Sequence, residues 1–266
     1  MAGLKHGFKN LIFKVIENIL SDYSLSSWLL IFLSAFIIGL AKAGLKGIEI
    51  MNVTIMAIVF GGKASTGIVL PLLCLADILA VLYYNRHAQW THFWKLIPWM
   101  VVGILVGVFV GQDMNEIIFR RIMAIIIILT VILMLTQEFR KNAAIPSNKL
   151  FAANMGLIAG FTTMLGNLAG SFSNIYFLAM RIPKNNFIGT AAWIFLVINL
   201  FKLPFQVIFW KNITASSLYT DLLLVPALLL GFWSGLKIVS KIKDNSYRKV
   251  VIALTLAGAV VIFLRK

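Results

Sequence analysis

The chain has 266 residues, of which 61% are hydrophobic and only 12% charged, with a mean hydropathy of +0.94. Soluble domains carry about 25% charged residues, so this composition excludes a water-soluble globular protein and indicates a polytopic, all-α membrane protein. The formal net charge of +15 does not mark a partner for nucleic acid. Its lysines and arginines sit in short loops between apolar runs, where they set topology and meet the headgroups of the lipid bilayer, and no basic domain stands apart from those runs.

Residues 1–25 predict an amphipathic helix lying in the membrane interface. Leu4, Phe8, Leu11, Ile12, Val15, Ile16, Ile19 and Leu20 share one helical face, and Lys5, Lys9, Lys14, Glu17 and Asn18 the other. Charges so placed interrupt any signal-type apolar core. Apolar runs then follow at about 27–43, 48–60, 65–84, 94–111, 117–136, 150–166, 170–181, 187–210, 218–238 and 247–264. The runs 48–60 and 170–181 fall well short of the roughly 20 residues a spanning helix needs. Each follows a glycine-containing joint, G-L-A-K-A-G-L-K-G at 39–47 and G-N-L-A-G at 166–170.

Landmarks recur in order along the chain. Gly47 and Gly170 end the two joints 123 residues apart, Asp77 and Asn199 are separated by 122, Gly107-x-x-x-Gly111 matches Gly231-x-x-x-Gly235 at 124, and Phe119-Arg120-Arg121 matches Tyr247-Arg248-Lys249 at 128. The organisation predicted is a first transmembrane repeat over 26–136, a hydrophilic linker over 137–149 and a second repeat over 150–266. Five segments per half, an odd number, predict that the second half enters the membrane inverted, with short or broken helices at the midplane. The glycine ridges read as helix–helix packing.

Asp77 lies deep inside the run at 65–84, and Asn199 and Lys202 inside the run at 187–210. A carboxylate in the middle of a span costs about 2.5–3.5 kcal/mol on insertion scales, so it faces a partner or a water-filled pathway. One polar site per half suggests a transporter built from a repeat; the structural alternative is that Asp77 only caps or salt-bridges a neighbouring helix. The first joint carries Lys42 and Lys46, and the second Asn167, followed by Ser171 and Ser173. Helix ends broken within the membrane expose N–H groups and a positive dipole end, which suits anions. Snorkelling to the interface is the alternative for the two lysines, and helix–helix hydrogen bonding for Asn167 and Ser171. Cys74 stands alone, and His87 and His92 are not at a metal-ligand spacing. The chain offers no H-E-x-x-H, no G-x-S-x-G and no nucleotide-binding loop, so no cofactor or enzyme activity is expected. The residues themselves lead to a secondary transporter that favours anions, with a passive channel as its rival.

The strings L-P-L-L-C-L-A-D-I-L-A-V-L-Y-Y-N-R-H-A-Q-W (70–90), L-I-P-W-M-V-V-G-I-L-V-G (96–107), G-L-I-A-G-F-T-T-M-L-G-N-L-A-G (156–170), R-I-P-K-N-N-F-I-G-T-A-A (181–192) and V-I-N-L-F-K-L-P (197–204) resemble the TauE/SafE family of sulfite-exporter permeases. The resemblance runs from about residue 28 to the end. It implies movement of a small sulfur-containing anion, such as sulfite or an organosulfonate, across the cytoplasmic membrane, with a non-sulfur carboxylate as the alternative cargo. Carried over by position, the candidate substrate site is Lys42, Gly44, Lys46 and Gly47 of the first joint, Asn167, Gly170 and Ser171 of the second, and Thr190, Asn199 and Lys202, with Asp77 as the proton-coupling group. Two departures reshape the joint tips. The first joint continues Leu45-Lys46-Gly47-Ile48-Glu49 where the family is richer in glycine, and the second reads Ala169-Gly170-Ser171 where the family reads glycine-glycine-proline.

Overall fold

A computed structural model gives the fold and describes residues 23–139 and 149–264. The expected interfacial helix at 1–25 therefore lies almost wholly outside the described residues, as does most of the linker. Every regular element described is helical: α1 (Leu25–Lys42), α2 (Glu49–Phe60), α3 (Gly62–Ile68), α4 (Leu70–Tyr84), α5 (Trp90–Gln112), α6 (Glu116–Phe139), α7 (Lys149–Gly166), α8 (Ala169–Ala179), α9 (Lys184–Pro204), α10 (Ala215–Lys241) and α11 (Asp244–Leu264). A π-helical turn, Phe205–Phe209, extends α9 beyond Pro204.

Among the described residues, α1, α5, α9 with its π turn, and α10 are each long and apolar enough to cross a bilayer, and α3 and α4, bent by 45° where they meet, are so only when taken together. That bend differs from the single run predicted over 65–84. Pro71 supplies no N–H and sits in the first turn of α4, so the chain restarts a helix there after the short α3. The outer faces carry large apolar side chains such as Leu29, Leu82, Phe109, Leu222 and Leu230, all exposed. In water such a surface would be a liability, whereas lipid tails are its natural solvent.

Two close helix crossings hold the bundle together, α5 against α7 and α10 against α1. A side-chain carbon at Gly103 would stand 2.1 Å from the Leu157 carbonyl oxygen, and one at Gly231 would stand 2.0 Å from that of Phe36. Only glycine allows backbones this near. The same correspondence holds for Gly160 against Met100 and Gly39 against Leu228, and for Gly107 against Met164 and Gly235 against Ala43. Matched by contact, Gly103 corresponds to Gly231 and Gly107 to Gly235, 128 residues apart. The spacing match of Gly107 with Gly231 is therefore one helical turn out of register. The corrected offset equals that of the Phe119 and Tyr247 strings.

Apolar packing fills two regions. The larger joins side chains from both parts of the chain, among them Leu40, Tyr84, Met100, Met164, Phe177, Phe187 and Tyr247. The smaller lies between α1, α2, α4 and α10 and includes Trp28, Ile31, Met56, Leu72 and Leu224. Between them α4 packs against α9, which brings the polar residues of these two helices face to face.

Candidate functional site

The first joint runs between α1 and α2, and its irregular backbone is satisfied inside the protein. Leu45 N–H returns to the Leu40 carbonyl at 3.1 Å, the Tyr84 hydroxyl donates to the Ala43 carbonyl at 2.9 Å, and the Tyr247 hydroxyl donates to the Gly44 carbonyl at 2.7 Å. This is the condition for non-helical backbone at membrane depth. Gly47 turns the chain at φ 97°, a left-handed value that glycine reaches without strain. The second joint is tighter. Asn167 takes φ 55°, which asparagine tolerates better than most residues, and its amide donates to the Thr66 carbonyl at 3.0 Å.

One continuous polar network links the joints through α4 and α9. Asp77 is fully buried, with 0% exposure. The Lys42 ammonium donates to its Oδ1 at 2.5 Å and the Asn199 amide donates to its Oδ2 at 2.7 Å. The Asn199 carbonyl accepts from Lys202 at 3.1 Å, one helical turn along α9. Lys202, also 0% exposed, donates further to Asn167 Oδ1 at 2.6 Å and Thr163 Oγ1 at 3.1 Å. On the far side of Asn167, Gln206 donates to Thr66 Oγ1 at 3.1 Å.

A small cavity of about 40 Å³ opens beside this network, lined by Lys42, Lys46, Glu49, Asn52, Thr163, Asn167, Gly170, Phe195 and Asn199 among others. The volume suits a water molecule or a compact polar group. Both α2 and α8 begin at its wall, through Glu49 and through Ala169 and Gly170. Lys46 is 2% exposed. Its ammonium lies 5.1 Å from the Phe195 ring, which Lys42 also approaches at 4.8 Å. The Lys46 backbone N–H donates to the Gly44 carbonyl at 2.9 Å, but among the described residues no hydrogen bond or ion pair engages the ammonium. Neither lysine snorkels, since both are buried.

Of the expected site residues, the structure brings Lys42, Lys46, Asn167, Gly170 and Asn199 to the cavity wall and holds Asp77 and Lys202 directly behind it. Gly44 and Gly47 shape the first joint without lining the cavity. Ser171 does not line the cavity, and its hydroxyl is buried with no hydrogen-bond partner among the described residues. Thr190 lies elsewhere, donating to the Asn186 carbonyl at 2.6 Å and accepting from Gln89 N–H at 2.8 Å. Sequence reasoning did not select Glu49, Asn52, Thr163, Phe195 or Gln206. Glu49 accepts from Gly47 N–H and from the Asn174 amide, and the Asn52 carbonyl accepts from the Ser34 hydroxyl.

A helical membrane bundle that buries three lysines and a carboxylate around a cavity between two interrupted helices has the make-up of a transport permease. The chain belongs to the sulfite exporter TauE/SafE family, whose family model matches residues 31–262. Comparison with curated proteins and with solved structures returned no match. The family is one of multi-pass membrane transporters and not of enzymes, so the protein is a membrane transport permease acting on a small substrate.

Proposed function

We propose that this permease moves a small sulfur-containing anion, sulfite or an organosulfonate, across the cytoplasmic (inner) membrane as a gradient-driven secondary transporter, and that the anion binds between the two joints. The observation that carries this reading is the buried, unpartnered Lys46 ammonium in a cavity at which two helices begin. Unit charges 4 Å apart interact by about 1 kcal/mol in water and about 4 kcal/mol at an effective dielectric of about 20. A single lysine so placed is therefore a strong recruiter of anions, and Asn199, Asn167 and Thr163 add polar groups beside it.

Asp77 is the proposed coupling group. In this conformation Lys42 donates to one of its oxygens and Asn199 to the other. A conformation that separates Lys42 from it would leave a buried, unpaired carboxylate, which is stable only when protonated. Proton uptake and the conformational change would then be linked.

An inverted repeat is part of the same proposal, and the paired crossings support it. Their contacts relate α1 to α7 at an offset of 121 residues, which equates Glu49 with Gly170. These two residues touch, since a side-chain carbon on Gly170 would stand 2.1 Å from Glu49 Oε1. Equivalent residues of two repeats meet only near the axis that relates them.

Purified protein in liposomes tests the function. Uptake of sulfite and methanesulfonate, with and without a pH gradient, is expected to require Lys46 and Lys202. Lys46→Gln and Lys202→Gln should each weaken substrate affinity, and unchanged affinity in both variants overturns the site. Exchange that never accumulates substrate under any ion gradient identifies a channel instead.

A further inference from the structure

We propose that Glu49 is a built-in anion of this site, so that the permease takes singly charged oxyanions and turns doubly charged ones away. The inference rests on the joints being the anion site. Lys42, Lys46 and Glu49 line the cavity, and Lys202 and Asp77 stand behind its wall, each bonded to residues that line it, so three ammonium groups and two carboxylates lie at the site. Lys42 and Asp77 cancel at 2.5 Å. Among the described residues the Lys202 ammonium bonds only to the neutral oxygens of Thr163, Asn167 and Asn199, and the Lys46 ammonium has no hydrogen-bond or ion-pair partner. Two cations therefore face one remaining carboxylate, and a single positive charge is left for a ligand.

Glu49 is fixed where a ligand's second charge would go. It springs from the first turn of α2 and reaches across to the second joint. Its Oε1 accepts from the Asn174 amide of α8 at 2.9 Å, and its Oε2 accepts from Gly47 N–H. Gly170, in the first turn of α8, has no side chain and so leaves room for this carboxylate. The start of a helix favours negative charge, and here the protein supplies that charge itself. The Lys46 ammonium, on a side chain 2% exposed at the same cavity wall, remains as an unspent donor. The limited volume, about 40 Å³, restricts the bound part to a compact head group. The ligand class is thus a small oxyanion carrying one charge, such as bisulfite or the head of an alkyl monosulfonate.

Methanesulfonate and sulfate make suitable probes, because both are tetrahedral and of similar size but carry one and two charges. Binding of each to the purified full chain is measured by calorimetry at neutral pH, for wild type and Glu49→Gln. Wild type should bind methanesulfonate at least about tenfold more tightly than sulfate. Removing one fixed negative charge favours a dianion twice as strongly, in free energy, as a monoanion. Glu49→Gln should therefore raise the sulfate-to-methanesulfonate affinity ratio by at least about tenfold. A merely structural role for Glu49 would weaken both ligands in parallel and leave the ratio unmoved, which overturns the proposal. So does a wild type that binds sulfate as well as methanesulfonate, a result that needs no variant to fold and leaves the anion site standing. Failure of wild type to bind methanesulfonate, bisulfite or sulfate removes the anion site and this inference together.

Discussion

Lys42 and Asp77 form the ion pair at the heart of the bundle, and removing them singly and together makes a quantitative test of the packing around them. The carboxylate is fully enclosed and the ammonium side chain is 11% exposed, at 2.5 Å separation. Lys42→Met leaves Asp77 with only the Asn199 amide, and Asp77→Leu leaves a buried ammonium facing the Phe195 ring. Stranding one partner of a buried pair costs about 3–5 kcal/mol, whereas replacing both with apolar groups of similar volume is often neutral. Each single variant should therefore lose about 3–5 kcal/mol, and the double variant less than about 2 kcal/mol. Two penalties that fail to add give a coupling energy of several kcal/mol. At about 2–4 °C per kcal/mol for a chain of this size, the single variants should melt about 6–20 °C below wild type. Melting curves of the detergent-purified protein, followed by tryptophan fluorescence, give the comparison. Single variants as stable as wild type, or a double variant showing the full sum of the losses, would refute the idea that this pair is held by mutual need. The same proteins in liposomes examine coupling: Asp77→Asn should exchange substrate without accumulating it along a pH gradient.

Gly103→Ala and Gly231→Ala each drive a carbon to about 2 Å from a backbone oxygen, and both should cost about 1–3 kcal/mol; a melting temperature unchanged in either would mean that its crossing can widen freely. Asp221 in α10 is buried, and neither carboxyl oxygen has a hydrogen-bond partner among the described residues. Asp221→Val should therefore raise stability by about 1–3 kcal/mol, and a loss in thermal unfolding would reveal a partner the geometry does not show. Asn167→Ala should be less stable than Asn167→Gly by about 1–2 kcal/mol, because only glycine relieves the φ of 55° once the amide is gone; equal melting of the two variants would count against backbone strain at the second joint.

The helical class and the two joints are legible in the sequence because a long apolar run cannot hide, and a run too short to span draws attention to itself. Asp77, Asn199 and Lys202 are legible for the same reason, each being polar in an apolar neighbourhood. Thr163, Thr66 and Gln206 are not. Hydroxyls and amides are common in such helices, and their value here comes from what meets them across other elements, Lys202 at the Thr163 hydroxyl, the Asn167 amide at the Thr66 carbonyl and Gln206 at the Thr66 hydroxyl. Glu49 stands in the sequence only as the end of the string in which the first joint departs from the family, and its place at the site emerges when the fold carries Gly170 against it. The register slip between the glycine ridges has a simple origin. Gly103, Gly107 and Gly111 repeat every fourth residue, so a pair spaced the same way fits them at two settings, and only the facing carbonyls of Leu157 and Phe36 decide between them. Thr190 is a position carried by family likeness, and its hydroxyl bonds the Gln89 and Asn186 backbone away from the cavity.

The two glycine-lined crossings also govern what can move. α1 from the early part of the chain is clasped by α10 from the late part, and α7 from the late part is clasped by α5 from the early part. The two sequence halves are therefore interlaced, each lending a helix to a seam with the other. Rocking one half against the other as separate blocks would have to pull both seams open, where backbones touch and no side chain cushions the slide. The natural rigid bodies are the mixed pairs, α1 with α10 and α5 with α7. Any motion that keeps these pairs intact falls to the helices outside them, and two of those, α4 and α9, carry Asp77, Asn199 and Lys202.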